Sequence, residues 1–253
     1  MKNIRIIPRL DIKGSNVVKP VHTEALRIVG NPKELARRYF EEGADEIIYM
    51  DIVASLYQRN LDFDLLKSVT DGIFIPVTVG GGIRNIHDIN NALRSGADKV
   101  AVNTYAMRRP EFITEAAKEF GSQCVVLSVE AKKQPDGRWE AYTDGGREHS
   151  GKDAVEWVRE GINRGAGEIM ITSIDQDGAR RGYDLDLIKK ITDFARVPVI
   201  VYGGAGNKKD FKDAVSEGRA DAVAAATMFH YNDLFISELK DYFRSENINV
   251  RIS

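Results

Sequence analysis

The sequence predicts a single (β/α)8 barrel, one domain spanning residues 1–253. The chain has the length of one such barrel, and eight short β-branched or apolar runs alternate along it with amphipathic stretches. Strands and helices that alternate in this way favour a closed parallel barrel. The runs occupy residues 5–10, 46–50, 74–79, 99–103, 124–130, 168–172, 197–202 and 220–226. Helical spacing of apolar residues between them is clear in segments such as 32–42 and 154–164.

An internal repeat supports the same fold. Residues 43–48 (GADEII) recur at 165–170 (GAGEIM), and 75–77 (IPV) recur at 197–199 (VPV), each pair 122 residues apart. Residues 97–100 (ADKV) recur at 220–223 (ADAV), 123 residues apart. Matched blocks at nearly one offset indicate a repeated structural unit. We therefore predict two four-stranded half-barrels, about 1–122 and 123–253.

Composition narrows the class of protein. The net charge is −2, which favours neither a nucleic acid nor a membrane as partner, and no apolar run approaches the roughly 18 residues that span a bilayer. Cys124 is the one cysteine, so no intrachain disulfide can form, and this usage predicts a cytoplasmic protein. Cys124 lies in a predicted strand and is predicted to be a packed core thiol. The four histidines (His22, His87, His149 and His230) lack metal-ligand spacing. Neither a metal nor another cofactor is predicted.

Glycine-rich runs end the third and seventh predicted strands, at 80–82 and 203–206. Their backbone N–H groups can approach a phosphate closely. Asn103 and Thr104 follow the fourth strand and Thr227 follows the eighth, which adds polar donors beside each run. Two such sites across one barrel mouth indicate a ligand with a phosphate at each end. The alternative is that the glycines only form tight turns.

Side chains alternate between the two faces of a strand, so charged residues can be assigned to the barrel interior. Four of them lie on the inward face at the bottom of the barrel: Arg5, Glu46, Lys99 and Glu168. Buried unpaired charges are costly, so two cations and two anions are expected to form a ring. The alternative is that they fan outward into solvent.

Two carboxylates end opposite strands at the top of the barrel. Asp11 follows the first strand and Glu130 ends the fifth, and a ligand between two such groups suits general acid–base chemistry. Lys19, in a long loop after the first strand, could reach a phosphate or remain solvated. Three further acids and one glycine end strands two and six, and either bind ligand hydroxyls or cap helices: Asp51, Asp175, Asp177 and Gly178.

The chain resembles the cyclase subunit of imidazole glycerol phosphate synthase (HisF) from end to end. The likeness is carried by the segments 5–8 (RIIP), 10–11 (LD), 17–19 (VVK), 78–83 (TVGGGI), 96–100 (GADKV), 120–123 (FGSQ), 165–169 (GAGEI), 172–175 (TSID) and 203–206 (GGAG). Together these segments are specific for the family.

The resemblance implies a two-part reaction. A separate HisH-like glutaminase releases ammonia at the bottom of the barrel. The ammonia crosses the barrel and attacks a bisphosphorylated ribulosyl-formimino carboxamide nucleotide, which yields imidazole glycerol phosphate and an aminoimidazole carboxamide nucleotide (AICAR).

The resemblance also implies roles for individual residues. Asp11 matches a catalytic aspartate, Asp98 matches a residue that faces the glutaminase, and the four ring residues match an ammonia gate. Phosphate-binding positions match Gly82, Asn103, Thr104 and Gly204. The remaining candidates for substrate binding are Lys19, Asp51, Thr172, Asp177, Gly178 and Thr227.

The chain departs from the family pattern at the chemical end. Glu130 stands where the family has a second catalytic aspartate, and Arg9 stands where it has a small residue. Arg9 is predicted to hold both carboxylates as anions. Residues 20–23 (PVHT) also differ from the cyclase loop.

These departures leave alternatives to the cyclase. One is a HisF-like paralogue that pairs with a HisH-like glutaminase and supplies ammonia to a sugar amidotransferase of surface-polysaccharide or flagellar glycan synthesis. Another is a HisA-like isomerase, a single-chain enzyme that has no need of the charged ring.

Overall fold

Eight parallel strands close a barrel in the computed structural model, which describes residues 2–21 and 25–252. The predicted fold class is therefore confirmed. Neighbours around the barrel run β1, β4, β5, β6, β7, β10, β11 and β12, and β12 pairs with β1 again. The strands of the described chain are β1 Arg5–Lys13, β2 Asn16–Val21, β3 Ala25–Gly30, β4 Ile47–Asp51, β5 Val77–Gly80, β6 Lys99–Val102, β7 Val125–Lys133, β8 Trp139–Thr143, β9 Glu148–Asp153, β10 Glu168–Ser173, β11 Val199–Tyr202 and β12 Ala222–Ala225.

Helices follow the barrel strands and cover their outer faces. Their bounds are α1 Pro32–Glu41, α2 Phe63–Thr70, α3 Ile86–Arg94, α4 Thr104–Arg108, α5 Glu111–Phe120, α6 Ala154–Arg164, α7 Leu185–Thr192, α8 Lys208–Ser216, α9 Thr227–His230 and α10 Ile236–Ser245, with a 3-10 turn at Ser122–Cys124. The helix predicted at 154–164 has these bounds in the structure. Asp153 caps its first turn through Val155 N and Glu156 N, and left-handed Gly165 ends it.

Several predicted strand bounds were wrong by a few residues. The third and seventh barrel strands begin at Val77 and Val199, later than predicted. Each follows a proline, Pro76 or Pro198, and proline has no N–H to give to a strand ladder. Cys124 is not within a strand: it is a buried thiol in the 3-10 turn before β7.

The predicted long loop after the first strand is instead a β-hairpin. β2 pairs antiparallel with β1 and with β3, so Lys19 lies in a strand. The signal was a short turn, Gly14-Ser15, between two apolar runs, which is typical of a hairpin. His22 and Thr23, noted above as part of a divergent segment, lie outside the described residues. A second hairpin, β8–β9, follows β7.

Matching contacts recur in the two halves. Asn85 and Asn207, which are 122 residues apart, cap α3 and α8 through the backbone of the third helical residue. Asp98 accepts a hydrogen bond from Val77 N at 2.8 Å, as its counterpart Asp221 does from Val199 N at 2.7 Å. These pairs support the proposed repeat, whose boundary near residue 122 stays a prediction.

The core has two parts. The larger cluster packs the helices against the outer face of the strands. The smaller cluster fills the barrel interior, where its large members are Ile7, Ile48, Val126, Met170, Ile200 and Tyr202. Stacked layers of branched side chains are what a barrel of this size requires. An apolar layer therefore separates the bottom of the barrel from its mouth.

A buried ion pair ties α10 to the barrel. Lys240 Nζ donates to Asp45 Oδ1 at 2.8 Å, and Asp45 Oδ2 accepts from Ile6 N at 2.8 Å. Lys240→Met would leave a buried carboxylate without its main cation, so we expect the free energy of unfolding in urea to fall by about 3–5 kcal/mol. Lys209→Met, which removes the exposed pair with Asp213, is the matched control and should change it far less. An equal loss in both variants would contradict a special role for the buried pair.

None of the described helices is long and apolar enough to cross a membrane. Within residues 2–21 and 25–252, no group of three or more His, Cys, Asp or Glu side chains could hold a metal ion.

Candidate functional site

The four charged residues at the bottom of the barrel meet as the strand alternation predicts. Arg5 pairs with Glu46 at 2.7 Å and also with Glu168. Lys99 pairs with Glu46 at 2.9 Å and with Glu168 at 2.7 Å. Each cation thus bridges both anions, and the ring is closed. Thr78 Oγ1 adds a hydrogen bond to Glu46 at 2.5 Å, and a hollow of about 250 Å³ opens below the ring.

At the top, Asp11 lies among cations. Its carboxylate accepts from Arg9 Nε at 2.7 Å and lies 3.5 Å from Lys19 Nζ. Tyr202 OH is 3.4 Å from the same carboxylate. Burial acts to raise the pKa of Asp11, but Arg9 and Lys19 outweigh it and hold the pKa below its usual range. Asp11 is therefore a fixed anion near neutral pH.

Glu130 differs from Asp11. Burial raises its pKa to about 7, although Arg9 and the Gly146 N–H act to lower it. Asn103 Nδ2 donates to Glu130 Oε2 at 3.0 Å. The prediction that Arg9 would hold both carboxylates as anions was correct for Asp11 and wrong for Glu130. Arg9 donates directly to Asp11, whereas desolvation dominates at Glu130.

A cavity of about 280 Å³ opens beside Glu130 on the first-half side of the mouth. It is lined by five of the predicted residues: Asp51, Gly82, Asn103, Thr104 and Glu130. Thr104 Oγ1 accepts from Asp144 N at 3.0 Å, so its hydroxyl hydrogen is available to a ligand. Gly81 and Gly82 have φ values of +91° and +74°, which glycine adopts readily.

The second glycine run borders a much smaller hollow, of about 20 Å³. Asp177, Gly178, Gly204 and Thr227 line it. Gly182 N donates to Gly204 O at 2.9 Å, so the segment after β10 lies against the glycines. The two ends of the mouth are unequal, which the sequence repeat did not predict.

Lys19 is buried and joins the first hairpin to this end of the mouth. Its Nζ donates to Tyr202 OH at 2.7 Å and to Asp177 Oδ1 at 3.2 Å. The alternative that Lys19 is solvated is therefore wrong, because its side chain is 1% exposed. These partners hold β2 over the barrel mouth.

Three other predicted site residues, Asp51, Asp175 and Thr172, differ in their hydrogen-bond partners. Asp51 accepts from Val53 N and Ala54 N and pairs with Arg59, so it orders its own loop. Asp175 accepts from Lys133 N. Thr172 is buried, and its hydroxyl has no hydrogen-bond partner in the part of the chain that the structure describes. Ligand binding by these residues stays a prediction.

Several side chains at the mouth were not predicted from the sequence. Tyr202 ends β11 with Ile200 two residues before it, so strand alternation could have placed it inside the barrel. Arg84 and Arg108 line the larger cavity. Arg108 lies 3.2 Å from Asp144, and no pattern in the sequence marked it.

The chain is similar to known proteins over nearly its whole length. The family model described as "Histidine biosynthesis protein" matches residues 5–234. An imidazole glycerol phosphate synthase subunit HisF from Legionella pneumophila is 56% identical over 211 residues, 83% of this chain and 100% of the relative. A subunit HisF from Alkaliphilus metalliredigens is 47% identical over 247 residues, 98% of each chain.

Proposed function

The chain belongs to the histidine biosynthesis protein family, and from that premise we propose that it is the cyclase subunit of imidazole glycerol phosphate synthase. It uses ammonia to convert the bisphosphorylated ribulosyl-formimino carboxamide nucleotide to imidazole glycerol phosphate and AICAR. The observation that carries the proposal is the likeness to subunit HisF at 47% identity over 98% of the chain.

The two carboxyl groups at the mouth support this chemistry. Attack by ammonia and departure of the carboxamide nucleotide both require a proton to be moved. Glu130, with its pKa raised to about 7 by burial, both gives and takes a proton near neutral pH. Asp11, held as an anion by Arg9 and Lys19, accepts a proton or stabilises positive charge. We assign both as catalytic residues.

The bottom of the barrel supports a glutaminase partner. The closed ring of Arg5, Glu46, Lys99 and Glu168 lies above an open hollow, where a HisH-like subunit would release ammonia. We assign the ring as the ammonia gate. Asp98 is exposed beside the ring and faces the partner. Its carboxylate also accepts a hydrogen bond from Val77 N.

The relatives' names favour the cyclase over the sugar-amidation paralogue, because both are subunits of imidazole glycerol phosphate synthase. The closed ring is an argument against the isomerase, a single-chain enzyme with no ammonia to admit.

Turnover of the purified protein with the bisphosphorylated nucleotide and excess ammonium salt at alkaline pH tests the proposal. We expect imidazole glycerol phosphate and AICAR in equal amounts without any glutaminase. Binding of the nucleotide without formation of product would overturn the cyclase assignment and favour the paralogue that supplies ammonia to a sugar amidotransferase.

The two phosphate ends can be tested with one substitution at repeat-equivalent positions. Thr104→Val and Thr227→Val each remove one hydroxyl, from the larger and the smaller site respectively. A hydrogen bond to a charged group contributes about 1.5–3 kcal/mol, so we expect KM to rise about tenfold or more in each, with a smaller change in kcat. An effect of Thr104→Val alone would mean that the substrate engages one phosphate site only.

A further inference from the structure

One layer of the barrel interior breaks the two-fold repeat. Four alternate strands, β1, β5, β7 and β11, contribute the side chains of a layer, and here these are Arg9, Gly80, Ser128 and Tyr202. Gly80 and Tyr202 are repeat equivalents, 122 residues apart. Arg9 and Ser128 are equivalents too, since each lies two residues before a mouth carboxylate. One side of the layer therefore holds two large side chains, and the other side holds a glycine and a serine.

The two large side chains pack against each other. The Arg9 guanidinium lies over the Tyr202 ring at 4.2 Å from its centroid. Arg9 is 6% exposed and Tyr202 is 2% exposed. Hydrogen bonds to Asp11 and Lys19 hold the pair in place. This pair fills its side of the barrel axis.

On the opposite side the Met50 side chain occupies the space in front of Gly80, and the room that remains lies beside Ala101 and Ser128. The larger cavity reaches down to Ala101 and Ser128, with Arg9 as its wall. Ala101 lies two residues above Lys99 of the charged ring, on the same face of β6. Its repeat equivalent is Ala224 on β12, and both alanines belong to the interior cluster. Ala101 lines the larger cavity, whereas Ala224 lines the smaller hollow of about 20 Å³. Along β6, the charged ring and the cavity lining are therefore only two residues apart.

We propose that Arg9 and Tyr202 form a plug that closes one side of the barrel axis, so that ammonia enters the site beside Ala101 and Ser128, under Glu130. The inference rests on the proposed function. Neutral ammonia can enter the apolar layer of Ile7, Ile48 and Val126 at a lower desolvation cost than an ammonium ion, which would have to lose its hydration shell there. Beyond that layer, the fixed charge of Arg9 faces the Asp11 side, and Ala101 and Ser128 leave room on the other.

The plug also places the two carboxylates differently relative to the entering ammonia. Ammonia would emerge next to Glu130, which exchanges a proton near neutral pH, and away from Asp11, which is enclosed by Arg9, Lys19 and Tyr202. Tyr202 is then a positioning residue that acts through its bulk on the axis and through its hydroxyl on Lys19.

The test uses the same substitution at the two equivalent alanines. Ala101→Val narrows the proposed route, and Ala224→Val adds the same volume on the plugged side. With the glutaminase bound, the readout is product formed per glutamate released. Turnover of each variant with excess ammonium, together with its thermal unfolding, corrects for effects on substrate binding and folding.

We expect Ala101→Val to lower product per glutamate about tenfold, while Ala224→Val stays within about twofold of the parent. In the Ala101→Val background, Tyr202→Ala should raise the ratio again because it opens the plugged side, whereas Tyr202→Phe, which keeps the ring, should not. An equal fall in product per glutamate in both alanine variants, or no recovery with Tyr202→Ala, would overturn the inference. Turnover by the parent protein would still support the proposed function in that case. Absence of product in the parent from either nitrogen source would overturn both.

Discussion

Asp11→Asn is expected to lower turnover with ammonium by about 10²–10⁴-fold, the range for loss of a positioned acid or base. Asparagine cannot accept a proton as the carboxylate does. It also leaves Arg9 and Lys19, both buried, without the anion that they share. Initial rates with ammonium at saturating nucleotide are the measurement.

A matched control separates chemistry from folding. Asp62→Asn makes the same change at the N-cap of α2, where Asp62 Oδ1 accepts from Leu65 N at 2.9 Å, and asparagine caps a helix about as well as aspartate. We expect its turnover to stay near that of the parent. Asp11→Asn protein that is folded and binds the nucleotide, yet turns over at the parental rate, would remove Asp11 from the mechanism.

Glu130→Gln is expected to lower turnover by a similar factor, about 10²–10⁴-fold, and to remove an inflection near pH 7 from the profile of kcat/KM. The inflection follows from the pKa of Glu130, which burial raises to about 7. Glu130→Asp keeps a carboxyl group but shortens its reach, and a misplacement of about 1 Å costs up to about a hundredfold, so this variant should be slower while its profile still titrates. An inflection that persists in Glu130→Gln would assign it to another group.

The same group makes folding stability depend on pH. The folded-state pKa of about 7 lies above the ordinary value of 4.5, so between these values the folded protein binds more protons than the unfolded chain. Stability contributed by protonated Glu130 is present below pH 4.5 and is lost as pH rises through 7. From pH 4.5 to 7 the parent should lose up to about 3 kcal/mol relative to Glu130→Gln. Asp11, whose pKa is lowered, acts in the opposite direction and only below its ordinary value of 3.8. Urea unfolding of both proteins across this range is the check.

The position of the charged ring followed from the sequence. Arg5, Glu46, Lys99 and Glu168 come from four strands, and parity together with the cost of unpaired buried charge brought them together. The order of the strands placed Asp11 and Glu130 opposite each other, on β1 and β7, four steps apart around the barrel. Such predictions succeed because a barrel fixes which face of each strand points inward.

Alternation could not assign the state of each charged group. Glu130 and Asp11 are equivalent in the repeat, yet one has a raised pKa and the other a lowered one. The difference arises from the direction of the Arg9 side chain, which donates to Asp11. Side-chain direction depends on neighbours such as Tyr202, which are distant in sequence.

Sequence by itself determined the closed barrel, its internal repeat, the charged ring and the family, because each depends on periodic spacing or on local segments. Tertiary structure alone decided that the first hairpin covers the mouth through buried Lys19, that one phosphate site is open and the other nearly closed, and that Arg9 stacks on Tyr202. These features depend on which side chains from separate strands pack together and on which of them are buried from solvent. A spacing pattern assigns a side chain to the interior of the barrel, but it does not specify the direction in which that side chain then turns.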